Sequence, residues 1–446
     1  MSVTSPPRPP RPSVPLDQEE LEALVEALIE EARRRAGRRR RRIGLAVLLA
    51  AGAGIAAFIG FGGRNGGGAG AVALARSPGA QSRVANTRPA TPLGNLPGNI
   101  VVSEAIAFDT RIPNTVYVAA MGSAGGRSRG YVFKTTDRGW HWRSTATTGA
   151  GWTRADALTA DPRYPGTLYA GNVVAVYKTI DGGRSWHPWN QGLFPPPGPL
   201  RKQHFGTPGT TSWNRDEGWV TDIVVDPADS SIVYSATDAV RKSSDGGHTW
   251  KTVFRPVYRP AGGAGYVQRI AIAPTRPETI YAMAMDARDG STSVYKSSDA
   301  GASWHATGGP GGVFPKGDGG STALAVDPLA PTTVYAAIDD TILRTTDAGA
   351  SWRPIMHGLS RYVVALAVDP QRSGTVYAGL YPGGIFKTTN GGRTWSRAVS
   401  GVSILALAVD PARPTTIYAA GSDKTHADKV RILRSTDSGR TWTISP

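Results

Sequence analysis

The sequence predicts an all-β protein: a seven-bladed β-propeller of four-stranded blades, preceded by a cytoplasmic amphipathic helix and one transmembrane helix. Three observations predict it. An octapeptide of the form Ser/Thr-x-Asp-x-Gly-x-Ser/Thr-Trp recurs seven times between Thr135 and Trp442. An apolar run bearing one tyrosine precedes each copy, at Tyr117, Tyr169, Tyr234, Tyr281, Tyr335, Tyr377 and Tyr418. Finally, Ile43 to Gly63 carries no charge, and about 20 such residues suffice to cross a hydrocarbon core.

The repeat divides into four short strands. Strand A is an Ala-Leu-Ala-Val type run, such as Ala323 to Val326, and it ends at Asp-Pro or a variant of it. Proline cannot continue a central strand, so the chain must turn there. Strand B carries the tyrosine, strand C is a run such as Ile342 to Arg344, and the octapeptide forms the C–D turn, with its Trp starting strand D. Four-stranded units recurring about every 45 residues are propeller blades, and they must stack around an axis because one blade alone cannot bury both of its faces.

Each octapeptide position has a physical role. The Asp accepts hydrogen bonds from turn N–H groups and from the hydroxyl residues, the Gly supplies positive φ, and the Trp buries a large ring between strands or blades. The seven acceptors are Asp137, Asp181, Asp245, Asp299, Asp347, Asn390 and Asp437. Asn390 keeps an acceptor oxygen, and His141 in the first copy replaces a hydroxyl. Seven equivalent carboxylates around a ring cannot share one active site, so they are read as structural.

Composition narrows the function. Gly and Pro number 55 and 34 in 446 residues, which suits tight turns but falls short of a low-complexity composition. The absence of cysteine excludes disulfides and any Cys-ligated zinc or iron–sulfur site. No His cluster, Walker loop or dinucleotide fingerprint appears, so neither metal nor cofactor is expected. The formal charge of +16 points first to nucleic acid. The Arg38–Arg42 block has a topogenic explanation, however, and the remaining surplus is spread thinly, so nucleic acid is not an expected partner.

Four segments follow. Residues 1–42 are Pro-rich and then amphipathic: Leu21, Leu24, Val25, Leu28 and Ile29 recur at helical spacing, with glutamates at the start and Arg33–Arg35 at the end, as the helix dipole favours. This reads as a surface helix with a weak self-contact rather than a dedicated docking helix. Residues 43–63 form the anchor, and the arginines on its N-terminal side keep the N-terminus cytoplasmic. The pairs Ala50/Gly54 and Gly52/Ala56 are of the kind that let two helices pack closely, although an Ala/Gly-rich span also produces them by chance. A cleaved signal is the competing reading, with Ala69-Gly70-Ala71 or Ala73-Leu74-Ala75 as cleavage sites. A retained signal-anchor is favoured because export signals rarely carry a helix of their own. Residues 64–98 form a flexible spacer, and 99–446 the propeller. The expected location is the cell membrane, single-pass, with the propeller outside the cytoplasm.

Because strands alternate in direction, the A–B and C–D turns share one face and the B–C and D–A loops share the other. The regular features fall on the first face. The irregular lengths, about 187–219, 254–266 and 305–321 between blades and 121–130, 285–293 and 421–430 within them, fall on the second. Variable loops on a rigid ring are where binding resides. The longest insertion supplies the candidate ligand-binding residues Trp189, Arg201, His204, Trp213, Arg215, Asp216, Glu217 and Trp219, aromatic platforms beside charged groups that suit a glycan or peptide. The alternative is that this loop plugs the channel. At the entry to strand A sit Glu104 and Asp156, followed by Asp222 and Arg269. The first two read as solvated rim charge and the second two as a packing-level ion pair, with Glu104 and Asp156 as the alternative, candidate catalytic carboxylate pair.

The octapeptide resembles the BNR/Asp-box repeat of sialidases, sortilin-type receptors, xyloglucanase-like glycosidases and photosystem II assembly-factor-like propellers, over roughly residues 100–446. The resemblance implies the fold and leaves function open, since the repeat hosts enzymes and binders alike. A sialidase needs an arginine from a Phe/Tyr-Arg-Ile-Pro motif. Arg111-Ile112-Pro113 occurs here but falls in an A–B turn, on the wrong face. Xyloglucanase-like enzymes cleave between two such propellers, and this sequence carries one. The expectation is therefore a binding or assembly scaffold for a protein or cell-envelope glycan, with a carbohydrate-active hydrolase as the alternative.

Overall fold

The computed structural model describes residues 100–444 apart from 125–126, 146–154, 173–174, 195–218, 257–265, 286–290, 309–313, 315–321, 360 and 424–429. The expected amphipathic helix, the 43–63 anchor and the 64–98 spacer lie outside the described residues. Among the described residues no helix is long and apolar enough to cross a membrane.

Seven four-stranded antiparallel sheets follow one another in chain order, each with its strands in sequence order A-B-C-D. Blade 3 illustrates the pattern with Asp222–Val225, Val233–Ala236, Val240–Ser243 and Lys251–Phe254. The A strands contact one another around the ring. They are Ile100–Phe108, Ala157–Ala160, Asp222–Val225, Tyr266–Ala273, Thr322–Asp327, Tyr362–Val368 and Val402–Val409. Strand D begins just after the Trp of each box, at residues such as Lys251 and Ser396, rather than on it.

Strand B is buried along its whole length in blades 2 and 3 and around its Tyr in every blade, because neighbouring blades cover both of its faces. That explains its continuous apolar run in place of a two-residue alternation. Near the axis the blades come closest, and a Cβ on Gly379 of blade 6 would stand 2.5 Å from Ile404 Cγ2 of blade 7.

The core consists of seven seams. In each, the Trp of one box shares a hydrophobic cluster with the strand-B Tyr of the preceding blade: Tyr117 with Trp186, Tyr169 with Trp250, Tyr335 with Trp395, and Tyr377 with Trp442, for example. The sequence left open whether the Trp packs between strands or between blades. It packs between blades.

The box itself is a closed hydrogen-bonded turn. In blade 4 the Ser297 hydroxyl donates to Asp299 Oδ1 at 2.8 Å and accepts from Gly301 N–H at 2.8 Å, while Ser303 donates its N–H to Oδ1 at 2.8 Å and its hydroxyl to Oδ2 at 2.6 Å. The Ser303 hydroxyl and N–H, with the Ser297 hydroxyl, hold the Asp299 carboxyl down at about 2. Around Asp245, burial opposes ionisation but is outweighed by bonds from Thr249 and Ser243, again giving about 2. Asn390 preserves the turn by donating Nδ2–H to Thr394 Oγ1 at 2.8 Å. His141 takes over the hydroxyl's role, its Nδ1 lying 2.5 Å from Asp137 Oδ2 where Ser303 Oγ lies 2.6 Å from Asp299 Oδ2.

Two consecutive residues of every box have positive φ, such as Ala300 at 55° and Gly301 at 90°. The first of them turns its carbonyl toward the preceding blade. There Tyr169 Oη–H and Lys178 Nζ both reach Gly246 O at 2.9 Å, Tyr234 and Lys242 reach Ala300 O, and Tyr377 and Lys387 reach Ser438 O. Main-chain bonds such as Gly182 N–H to Gly166 O at 2.8 Å join each box to the A–B turn of its own blade. Boxes and A–B turns therefore lie on one face.

The ring closes without strand exchange, each sheet being continuous in sequence. The seventh seam is held by side chains. Val116, Val118, Ala406 and Tyr418 share a cluster that Trp142 joins, Phe108 and Tyr418 rings lie 5.7 Å apart, Arg413 Nη1 donates to Asn114 Oδ1 at 2.7 Å, and Arg434 Nη1 to Arg138 O at 2.8 Å.

Candidate functional site

A cavity of about 180 Å³ lies where the seven A strands converge, lined by residues of every blade from Ala105 to Leu407. Most of its wall is Ala, Leu, Ile and Val, the apolar residues of the inner strands. Its polar members are Asp156, Thr221, Asp222 and Arg269. Asp222 is fixed at the start of its strand by accepting from Ile223 N–H at 2.9 Å and, across to blade 4, from Ile270 N–H at 3.0 Å. Arg269 donates Nε–H to Thr322 O of blade 5 at 3.1 Å and Nη1–H to Gln268 O at 3.0 Å. Thr221 donates its hydroxyl to Val267 O at 2.6 Å.

Asp156, expected as solvated rim charge, is instead buried (9% exposed) at the entry to strand A of blade 2. Its Oδ2 accepts from Trp219 Nε1–H at 2.9 Å. Two residues 63 apart in sequence, one a candidate acid and one a candidate ligand platform, thus meet at the channel. Trp219 is the last residue of the long blade 2–3 insertion, and this bond holds it at the rim of the cavity.

The other candidates divide. Trp189 sits in the seam between blades 2 and 3: Lys178 Nζ lies 4.2 Å from its ring centre, His248 meets it edge-on at 5.3 Å, and its carbonyl accepts from Trp250 Nε1–H at 3.0 Å. That places it in inter-blade packing rather than in the mouth. Glu104 belongs to strand A of blade 1, with its side chain outside the described residues. Arg201, His204, Trp213, Arg215, Asp216 and Glu217 lie outside them as well.

A polar cluster on the loop-rich side escaped the sequence reading. At the B–C turn of blade 3, Arg241 is 4% exposed. It donates to Asp238 Oδ1 at 2.8 Å, to Thr252 Oγ1 at 2.9 Å and to Thr237 Oγ1 at 3.3 Å, and Arg255 pairs with the other oxygen of Asp238. Burial raises the Asp238 carboxyl, but the Arg241 bond and both positive charges outweigh it and leave it lowered. The signal was available: six blades put Phe, Tyr or Leu at this strand-C position, at Phe133, Tyr177, Tyr295, Leu343, Phe386 and Leu433. Among the described residues no group of three or more His, Asp or Glu is placed to hold a metal ion.

The seams, the boxes and the continuous four-stranded blades define an Asp-box repeat β-propeller, and the chain is one. No protein-family model matches it. It is 24% identical over 190 residues to a probable oligoxyloglucan-reducing end-specific xyloglucanase of Neosartorya fischeri, a match covering 40% of this chain and 23% of that relative. The match thus spans about a quarter of that relative's length. The structure of YCF48 bound to D1 peptide superposes with a TM-score of 0.50 at 14% identity, covering 76% of this chain and 94% of that one. A GH74 xyloglucanase from Xanthomonas campestris gives 0.48 at 17% identity, covering 76% and 60%.

Proposed function

We propose that this chain is a membrane-anchored, extracytoplasmic propeller that acts as a binding or assembly scaffold, taking a protein segment or cell-envelope glycan at its loop-rich mouth. The observation that carries the reading is the Trp219–Asp156 bond, which fixes Trp219, the last residue of the longest insertion, at the channel rim and gives the carboxylate a structural partner. A side chain held in place before binding loses less freedom when a ligand arrives. The YCF48 structure, a propeller of comparable extent, carries a bound peptide, which supports the same use of the fold.

The hydrolase alternative draws on the sequence match to a xyloglucanase and on Asp156 beside the cavity. Two features weigh against it. Small-molecule sites usually occupy about 300–1,000 Å³, and the space between the inner strands is about 180 Å³. A glycosidase also needs a pair of carboxyls about 5–9.5 Å apart across the bond. Of the two in this cavity, Asp222 is taken up by the Ile223 and Ile270 N–H groups and Asp156 by the Trp219 indole. The deciding experiment measures hydrolysis of xyloglucan, β-glucan and sialoside panels by the full chain. The scaffold reading expects none. Turnover that disappears in Asp156→Asn or Glu104→Gln would sink it, and specific glycan or peptide binding lost on deleting 195–217 supports it.

A further inference from the structure

The face that the loop argument set aside carries a feature that folding does not explain. Among the described residues five large apolar side chains are exposed: Ile112, Trp140, Tyr164, Ile180 and Leu329, at 38 to 72%. All five stand in A–B turns or boxes, and four belong to blades 1 and 2. The repeat supplies its own control. The second box position holds Ser or Thr in six blades, at Thr136, Ser244, Ser298, Thr346, Thr389 and Thr436, and Ile only at 180. The turn forms equally well with a hydroxyl there. Ile180, 72% exposed, gains little from burial, so its apolar character serves something outside the blade.

The same turns present exposed arginines, Arg111, Arg138, Arg163 and Arg184. Arg111 and Arg138 each rest on a neighbouring turn, through Nε–H to Pro162 O at 3.2 Å and to Asn114 Oδ1 at 2.7 Å, and Arg163 rests on Ala228 O. Of the four aspartates of these turns, Asp109 and Asp161 are buried, while Asp137 and Asp181 are engaged in their boxes and Asp137 stays 39% exposed. Asp109 accepts from Arg111, Ile112 and Gly166 N–H, Asp161 from Arg163 and Tyr164 N–H and the Ser230 hydroxyl, and Asp137 and Asp181 are taken up by their boxes. The protruding layer is therefore Trp, Tyr and Ile interleaved with guanidinium groups, with Asp137 and His141 paired among them.

We propose that the Asp-box face of blades 1 and 2 docks on an anionic lipid surface. Trp and Tyr favour the headgroup region, where a ring is half buried and its polar edge stays wet. Arginines nearby are drawn to acidic headgroups, and the pairing of shallow apolar contact with basic charge is how proteins rest on bilayers without crossing them. Turn tips on one face of a ring all project the same way, which suits a plane better than an extended peptide. The contact borders a depression of about 600 Å³ between blades 2 and 3, whose wall holds Arg163, Tyr164, Ile180 and Lys178 together with Asp161, Asp229 and Asp245; the first three stand at its rim toward the lipid. Docking by this face turns the loop-rich mouth away from the membrane, toward partners. The inference deepens the proposed membrane location but does not need the anchor.

The chain has no cysteine, so Ile180→Cys in the full-length protein takes a single environment-sensitive fluorophore, and Thr346→Cys provides the same box position in blade 5 as a reference. Each is measured on phosphatidylcholine vesicles with and without phosphatidylglycerol, using brominated acyl chains as quenchers. The expected result is a blue shift and quenching at 180 but not at 346, on anionic vesicles only and reversed by salt. Arg163→Gln should lower the docked-to-free ratio about fivefold. Equal responses at both positions, or none at 180, overturn the proposal. A response at 180 that grows with protein concentration without vesicles also overturns it and assigns the face to a second copy of the chain. Vesicle association that withstands salt while the 180 label stays unquenched keeps the anchor and removes the docking. Association released by salt together with the label response keeps the docking and removes the anchor.

Discussion

Two aspartates offer a sharp test of how hydrogen-bond direction sets tolerance, because Asn should be accepted at one and rejected at the other. Asp327, fully buried at the A–B turn of blade 5, accepts from Leu329 N–H at 3.0 Å through Oδ1. Its Oδ2 accepts from the Ser373 hydroxyl at 2.7 Å and from Gly374 N–H at 3.1 Å, both in blade 6. In Asp327→Asn the amide nitrogen faces Gly374 N–H. A hydroxyl can reverse its role, but a main-chain N–H cannot. Leaving that buried donor unmatched costs about 1–3 kcal/mol. At Asp245 both main-chain and Ser243 bonds fall on Oδ1, while Oδ2 accepts only from the Thr249 hydroxyl at 2.5 Å. Asp245→Asn lets that hydroxyl accept instead, as Thr394 does from Asn390. The loss is then the difference between a charge-assisted and a neutral bond, about 1 kcal/mol or less. Urea and thermal unfolding of the full chain, followed by circular dichroism, ranks the two. Equal losses, or a larger loss at 245, would refute the assignment of donors and with it the inter-blade role of Asp327.

Other predictions use the same repeat logic. Gly349, at φ 93°, would bring a Cβ within 2.8 Å of Thr307, so Gly349→Ala should destabilise by about 1–3 kcal/mol. Gly246→Ala should lose less, because Ala300 and Ala348 already occupy that box position at φ 55° and 59°; thermal melts compare them. Folded box carboxyls such as Asp299 and Asp347 titrate at about 2, below the ordinary unfolded value of about 3.9. Their stabilisation is complete above about pH 4 and is lost as pH falls toward 2. Unfolding monitored along an acid titration should show its midpoint in that window, and a midpoint near neutrality would contradict it. Asn114→Ala removes an acceptor shared by Arg138 and Arg413. It should lower stability by about 1–2 kcal/mol and raise hydrogen exchange first in blades 1 and 7, which mass spectrometry can localise.

The sequence by itself determined the architecture, because each blade writes its own local physics. Asp-Pro stops strand A, the box closes the C–D turn with side chains at most four residues apart, and alternation of strand direction sorts the loops onto two faces. Even the exceptions were readable, since Asn390 retains the acceptor that the turn requires. Inter-blade relations were not readable in this way. That each Trp pairs with the Tyr of the preceding blade, that Trp189 packs in a seam, and that Trp219 meets Asp156 across 63 residues all depend on how stacked sheets approach one another. The closing seam is of this kind too: Arg413 finds Asn114 across 299 residues, a pairing that no local pattern encodes. The exposed Ile180 lay in plain view in the repeat, yet a box position reads as turn hardware until its surroundings show that nothing covers it. Turns are decided by neighbours along the chain, whereas surfaces and seams are decided by neighbours in space, and only the tertiary structure supplies those.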